Sequence, residues 1–132
     1  MNAPHEEWLS KAEDDLQFAR VGLKEDFCAQ VCFLSQQAIE KCLKGTLVKL
    51  GRSYPKTHSL RELFHLISEI KWDKWAEAIT IIDGYYVPLR YPDAAAGSKA
   101  SGPPNKEEAG EALQTAEEIF QVVTDFLFSL RG

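Results

Sequence analysis

The stretch from residue 26 to residue 50 limits most sharply what this chain can fold into. At about 100° per residue its apolar positions Phe27, Val31, Leu34, Ala38 and Cys42 fall on one side of a helix. Cys28, Cys32, Ile39, Leu43, Leu47 and Leu50 carry the apolar arc well round from there. An arc that wide is buried by several partners rather than one, which places the helix at the centre of a bundle or partly in a dimer interface. Asp26 is the expected N-cap, and Gly51 the residue that turns into the left-handed region after the last turn. What remains is a narrow polar stripe of Gln30, Gln37, Lys41 and Lys44, with Glu40 beside it.

A central helix needs neighbours, and the rest of the chain supplies them. Trp8, Ala12, Leu16, Ala19 and Leu23 recur at helical spacing, with Pro4 tolerable in a first turn and Gly22 near the far end. After Tyr54-Pro55, the pair Ser59 and Glu62 reads as a capping box opening a third helix through Leu63, Phe64, Ile67 and Ile70. Asp73 is placed to cap a fourth, carried by Trp75, Ala76, Ile79, Ile82 and Tyr86 until Pro88 and Pro92 forbid continuation. Residues 93–104 are rich in small residues and read as a mobile loop. Asn105 and Glu108 make a second capping box, and Ala109, Ala112, Ala116, Ile119, Val123, Phe126 and Leu130 carry a long last helix. The expected fold is all-α: an antiparallel up-and-down bundle of four long helices plus a short one, one domain over residues 1–132.

Composition narrows the function classes. With 45 % hydrophobic and 27 % charged residues the chain can bury a core. A net charge of -5 argues against nucleic-acid binding by bulk electrostatics, because phosphate neutralisation needs clustered Lys and Arg. Contact with nucleic acid has to be local. No apolar run approaches the roughly 18 residues of a membrane span, and the start lacks the basic and apolar regions of a secretory signal, so a cytoplasmic protein is expected. Cys28, Cys32 and Cys42 lie in one apolar stretch with no paired CxxC, which reads as core packing rather than a disulfide framework or zinc site. No metal or cofactor is expected.

Three blocks in order, Ser35 to Gly45, Lys56-Thr57-His58-Ser59-Leu60 and Arg90-Tyr91-Pro92-Asp93, resemble the HEPN family over nearly the whole chain. The resemblance implies a helical bundle that commonly forms a homodimer and is often encoded beside a minimal nucleotidyltransferase, as a toxin–antitoxin-like pair. Family members that cut RNA carry an Arg, a polar residue and, after a short gap, a His, on helices that meet across the dimer. Arg52 and His58 have that spacing here, but they fall in the turn after the second helix, and Ser53 stands where Asn or Asp is usual. The chain therefore leans away from being an enzyme.

Six residues are candidates for touching a nucleotide or RNA: Lys41, Lys44, Lys56, His58, Arg90 and Tyr91. Lys41 and Lys44 could meet phosphate as point charges, or be a solvated stripe in which Lys44 pairs with Glu40. His58 could move a proton, or hydrogen-bond its own turn and orient the third helix. Arg90 and Tyr91 could grip phosphate and stack on a base, or pair with Asp93 and pack on the bundle. The expected function is a HEPN-type nucleotide- or RNA-associated binding protein working with a nucleotidyltransferase partner. The alternatives are a metal-independent endoribonuclease and a purely structural adaptor.

Overall fold

The computed structural model describes residues 3–86 and 102–130. Five helices follow in order: α1 Pro4–Lys24, α2 Cys28–Lys49, α3 Leu60–His65, α4 Ala76–Asp83 and α5 Lys106–Ser129, with a 3-10 turn at Asp73–Trp75 leading into α4. The fold is the expected all-α helical bundle. α1, α2 and α5 run for 21, 22 and 24 residues, while α3 and α4 have 6 and 8. Among the described residues no helix is long and apolar enough to cross a membrane.

The helix ends show how local chemistry sets the frame. Pro4 sits in the first turn of α1, where its missing N–H costs nothing, and Ala3 donates its own N–H to Glu6 Oε1 at 3.2 Å. α1 does not hand over to an Asp26 N-cap. Asp26 instead adopts φ 62° and ends α1, with Phe27 N–H bonding Gly22 O at 2.9 Å and Asp26 N–H bonding Leu23 O at 3.3 Å. This is the Schellman closure, and Asp tolerates the left-handed region it needs. α2 then starts at Cys28 without a side-chain cap. The same closure ends α2 at Gly51, φ 72°, as expected.

Three further ends differ from expectation. Ser59 does cap α3, accepting from Glu62 N–H at 3.3 Å, but its own N–H goes to Thr57 Oγ1 at 3.0 Å, so only half of the capping box forms. α3 stops at His65, leaving Ile67 and Ile70 beyond it, because carbonyls released there find other donors: Arg52 at Leu66 O, 3.1 Å, and the Trp72 indole at Ile67 O, 2.8 Å. Asp73 lies within the 3-10 turn and makes no cap bond. The Asn105–Glu108 box forms in full, with bonds of 2.8 and 3.0 Å. Most of the loop read at 93–104, and the prolines at 88 and 92, lie outside the described residues.

α1 and α2 pack antiparallel: Gly45 faces Trp8, Lys41 faces Asp15 and Val31 faces Gly22. α5 lies antiparallel to α1, its Phe120 and Thr124 beside Glu6 and Leu9. α3 and α4 cover the remaining side with Leu60, Leu63, Ile79 and Ile82. Thirteen of the 22 residues of α2 are buried within the single chain. Its wide apolar arc is therefore consumed by α1, α5 and the short helices, and does not by itself call for a dimer. Trp75 and Trp72 likewise pack into the core, Trp75 donating to Glu118 Oε1 at 2.9 Å. Cys32 and Cys42 are buried and Cys28 partly so, with no disulfide among the three, and burial pushes the Cys42 thiol far up from its ordinary value.

Gly45 sets the closest approach of α1 and α2, since a Cβ there would lie 2.9 Å from Trp8 Cβ and 3.3 Å from His5 O. Gly45→Ala is expected to destabilise the fold by about 1–3 kcal/mol in urea unfolding, the cost of overpacking. A gain of stability, as for an ordinary helical Gly→Ala change, would show that α1 does not sit there.

Candidate functional site

Of the polar stripe of α2, Gln30 is exposed and Gln37 and Lys41 half-buried, but Lys44 and the neighbouring Glu40 are sealed in. Gln36, Glu40 and Lys44 follow at steps of four, and all three are buried. Glu40 is their hub. Its Oε2 accepts from Lys44 Nζ at 2.9 Å, its Oε1 accepts from Gln36 Nε2 at 3.2 Å, and His58 Nδ1 lies 3.2 and 3.3 Å from the two oxygens. Lys44 is closed over by aromatic rings: its ammonium stands 5.6 Å from the centre of Tyr54 and 5.9 Å from that of Trp8, which meet edge to face. Lys44 is therefore neither a solvated side chain nor a free phosphate contact. It balances the Glu40 charge inside the fold.

His58 comes to this hub from the turn between α2 and α3. Its imidazole does not orient α3, as the turn reading supposed; Thr57 and Asp83 do that work. Asp83, the last residue of α4, accepts from Leu60 N–H at 2.8 Å and from Ser59 Oγ at 3.4 Å, which holds the start of α3. Gln36 Nε2 also donates to His58 O at 3.0 Å, so one buried amide holds both the carboxylate and the backbone of the histidine facing it. The ring stacks on Tyr86 with centres 4.1 Å apart and planes 19° apart, and Tyr86 in turn lies against Phe33. The side chain remains 51 % exposed. An ionised carboxylate only accepts, so the proton of a neutral His58 belongs on Nδ1 and leaves Nε2 as an acceptor. No described residue bonds that Nε2. Such an imidazole can take a proton, or bond and stack on a ligand, from a defined position.

The other candidates are dispersed. Lys41 is bound to Asp15 at 2.6 Å on the α1 side, where burial raises the Asp15 carboxyl and the lysine only partly offsets it. Its charge is committed there. Arg52 grips Glu69 with both terminal nitrogens and also bonds Leu66 O, an ion pair that raises the guanidinium and lowers the carboxyl. The Arg52-to-His58 spacing thus does not assemble into a paired site within this chain. Lys56 is exposed on the same turn as His58. Arg90 and Tyr91 lie outside the described residues. Among the described residues no three of His, Cys, Asp and Glu come together as a metal site requires.

Gln36, Trp8, Tyr54, Tyr86 and Asp83 are the members that residue-by-residue reading left out, and Glu40 enters it only as a partner of Lys44. The one signal for them was the Gln36, Glu40, Lys44 spacing, which puts three polar groups on one face of an otherwise apolar helix. Lys44→Met is expected to cost about 3 kcal/mol in chemical unfolding, as for a buried pair losing one partner. Glu40→Gln combined with Lys44→Met should recover much of that loss, because no uncompensated charge remains. Equal losses for both variants would contradict a buried Glu40–Lys44 pair.

The chain matches the HEPN domain over residues 5–126. It is 31 % identical over 131 residues to a Methanocaldococcus jannaschii protein named "Putative toxin MJ1304", covering 91 % of this chain and 86 % of that one. Among solved structures, ST0689, described as an archaeal HEPN homologue, superposes with a TM-score of 0.74 at 31 % identity over 96 % of this chain and 99 % of its own. TT1696 from Thermus thermophilus does so with a TM-score of 0.76 at 32 % identity over 92 % and 96 %. The domain match spans the bundle from α1 into the last turns of α5, and the chain belongs to the HEPN family.

Proposed function

We propose that this chain is the HEPN component of a toxin–antitoxin-like pair, a cytosolic homodimer that binds a nucleotide or short RNA around His58 and works with a minimal nucleotidyltransferase. The named toxin among its relatives supports the pairing with a toxin–antitoxin system. The observation that carries the ligand reading is the His58 imidazole, half exposed, stacked on Tyr86 and anchored by buried Glu40. A base can stack beside such a ring, while Lys56 on the same turn offers a local positive charge in a chain of net charge -5.

A second reading has its own support. A carboxylate that orients an imidazole is also the arrangement of a general base, which favours a metal-independent endoribonuclease. Against it, the arginine at the right spacing is held by Glu69. Binding without cleavage is the reading we adopt.

Fluorescence anisotropy with a labelled single-stranded RNA should show binding that weakens as salt rises, and gels should show no robust cleavage. Lys56→Glu should weaken binding by about 1.5–3 kcal/mol, the size of a charge-assisted contact, with the thermal midpoint nearly unchanged. If the wild type cleaves RNA without added metal and His58→Ala abolishes cleavage in a folded protein, the enzyme reading replaces this one. If neither nucleotide nor RNA binds at low salt, a structural adaptor with a protein partner is left.

The dimer rests on surface apolar groups that the single chain leaves uncovered: Phe18, Val21 and Phe27 near the α1–α2 turn are 68, 60 and 58 % exposed. Light scattering at micromolar concentration should give twice the 14.9 kDa chain mass. A mass near 14.9 kDa that does not rise on concentrating would refute it.

A further inference from the structure

A groove between α3 and α4 has the make-up of a second site, separate from His58. It is formed where two helix faces converge, Arg61, Phe64 and His65 on α3 opposite Ala76, Ile79 and Thr80 on α4, and it encloses about 210 Å³. That is below the roughly 300–1,000 Å³ of pockets that take drug-sized ligands, so the space suits one fused ring system. Its floor is apolar and aromatic. Phe64 and Ile79 are buried, and Trp72 meets Phe64 edge to face with ring centres 4.4 Å apart. The Trp72 N–H is already given to Ile67 O, so that residue brings a ring and no free donor.

The rim supplies the charge. Of the three arginines among the described residues, Arg20 is paired with Glu117 and Arg52 with Glu69, whereas Arg61 makes no ion pair or hydrogen bond among the described residues. His65 follows one turn later and is equally uncommitted there. A guanidinium cannot shed its proton, and in a strongly acidic chain it would ordinarily find a carboxylate. Here it stands over an aromatic cleft instead. Asp73, on the same rim, adds one negative charge and works against a doubly charged phosphate.

We infer that the α3–α4 groove binds a small planar aromatic carboxylate, its ring lying on Phe64, Trp72 and Ile79 and its carboxylate held by Arg61. The inference does not depend on the ligand assigned to His58. The probe is 2-naphthoate, followed by calorimetry and by amide and indole resonances of the full chain.

Saturable binding is expected, with shifts confined to the Trp72 indole and residues of α3 and the 73–80 segment. Arg61→Gln should weaken it about tenfold or more, the loss of a charge-assisted contact. Ala76→Leu should abolish it by filling the groove. If Ala76→Leu lowers the thermal midpoint, Thr80→Leu from the same wall replaces it. His58→Ala should leave the affinity unchanged, which separates failure here from failure of the RNA reading. Equal affinity for the uncharged 2-naphthylmethanol, an unaffected Arg61→Gln, shifts scattered over the bundle, or no saturation would each overturn the assignment.

Discussion

The burial of α2 on most of its circumference is the constraint from which the other features follow. A helix so enclosed has no solvent in which to hydrate its polar groups, and each one left unpaired would cost on the order of 1–3 kcal/mol. Ser35 and Thr46 solve this locally by donating to carbonyls four residues back, at 2.7 and 2.8 Å. Gln36, Glu40 and Lys44 cannot do so, because their longer side chains reach outward. They are satisfied by one another and by the turn that leads to α3. These three residues are thus a joint between helix and turn, not a face of the bundle.

Glu40 is the centre of that joint. A buried carboxylate is tolerated only with close compensation, and it has a lysine, an amide and an imidazole around it. Each partner contributes something different. Lys44 neutralises the charge, Gln36 ties it to the His58 backbone, and His58 is thereby held in one tautomer with its outer nitrogen presented. The aromatic groups complete the arrangement, Trp8 and Tyr54 over the lysine and Tyr86 under the histidine. A structural need of α2 has in this way produced an ordered, half-exposed imidazole in a chain of net charge -5.

The short helices are positioned by the same economy. Asp83 at the end of α4 satisfies the first N–H of α3, while Arg52 and Trp72 take carbonyls at the other end. α3 is consequently anchored at both ends within six residues, and its outer face with Arg61 and His65 is free to border a groove. Arg52 shows the consequence for function most directly. Once recruited to Glu69 and Leu66 it serves the fold, and a motif spacing that includes it loses its chemical meaning.

Much of the bundle was legible because its signals are local. Helical periodicity, the Asn105–Glu108 box and Gly51 depend on residues a few positions apart, and the structure keeps all three. Asp26 and Ser59 were half legible for the same reason. Asp suits both an N-cap and a left-handed C-terminal closure, and only the crossing of α1 and α2 decided between them; Ser59 kept its cap while Thr57 displaced Glu62 from the box. The site was far less legible. His58 and Lys44 were found by type, but their roles rest on contacts remote in sequence: His58 on Glu40, 18 positions away, and Lys44 on the ring of Trp8 in α1 that closes over it. By itself the sequence determined that α2 must be covered by several partners, in a bundle or partly in a dimer interface, since its apolar arc is too wide for one neighbour. Which of its few polar groups would be solvated and which sealed in was decided by the tertiary structure, because burial depends on what the neighbouring elements cover and not on residue type.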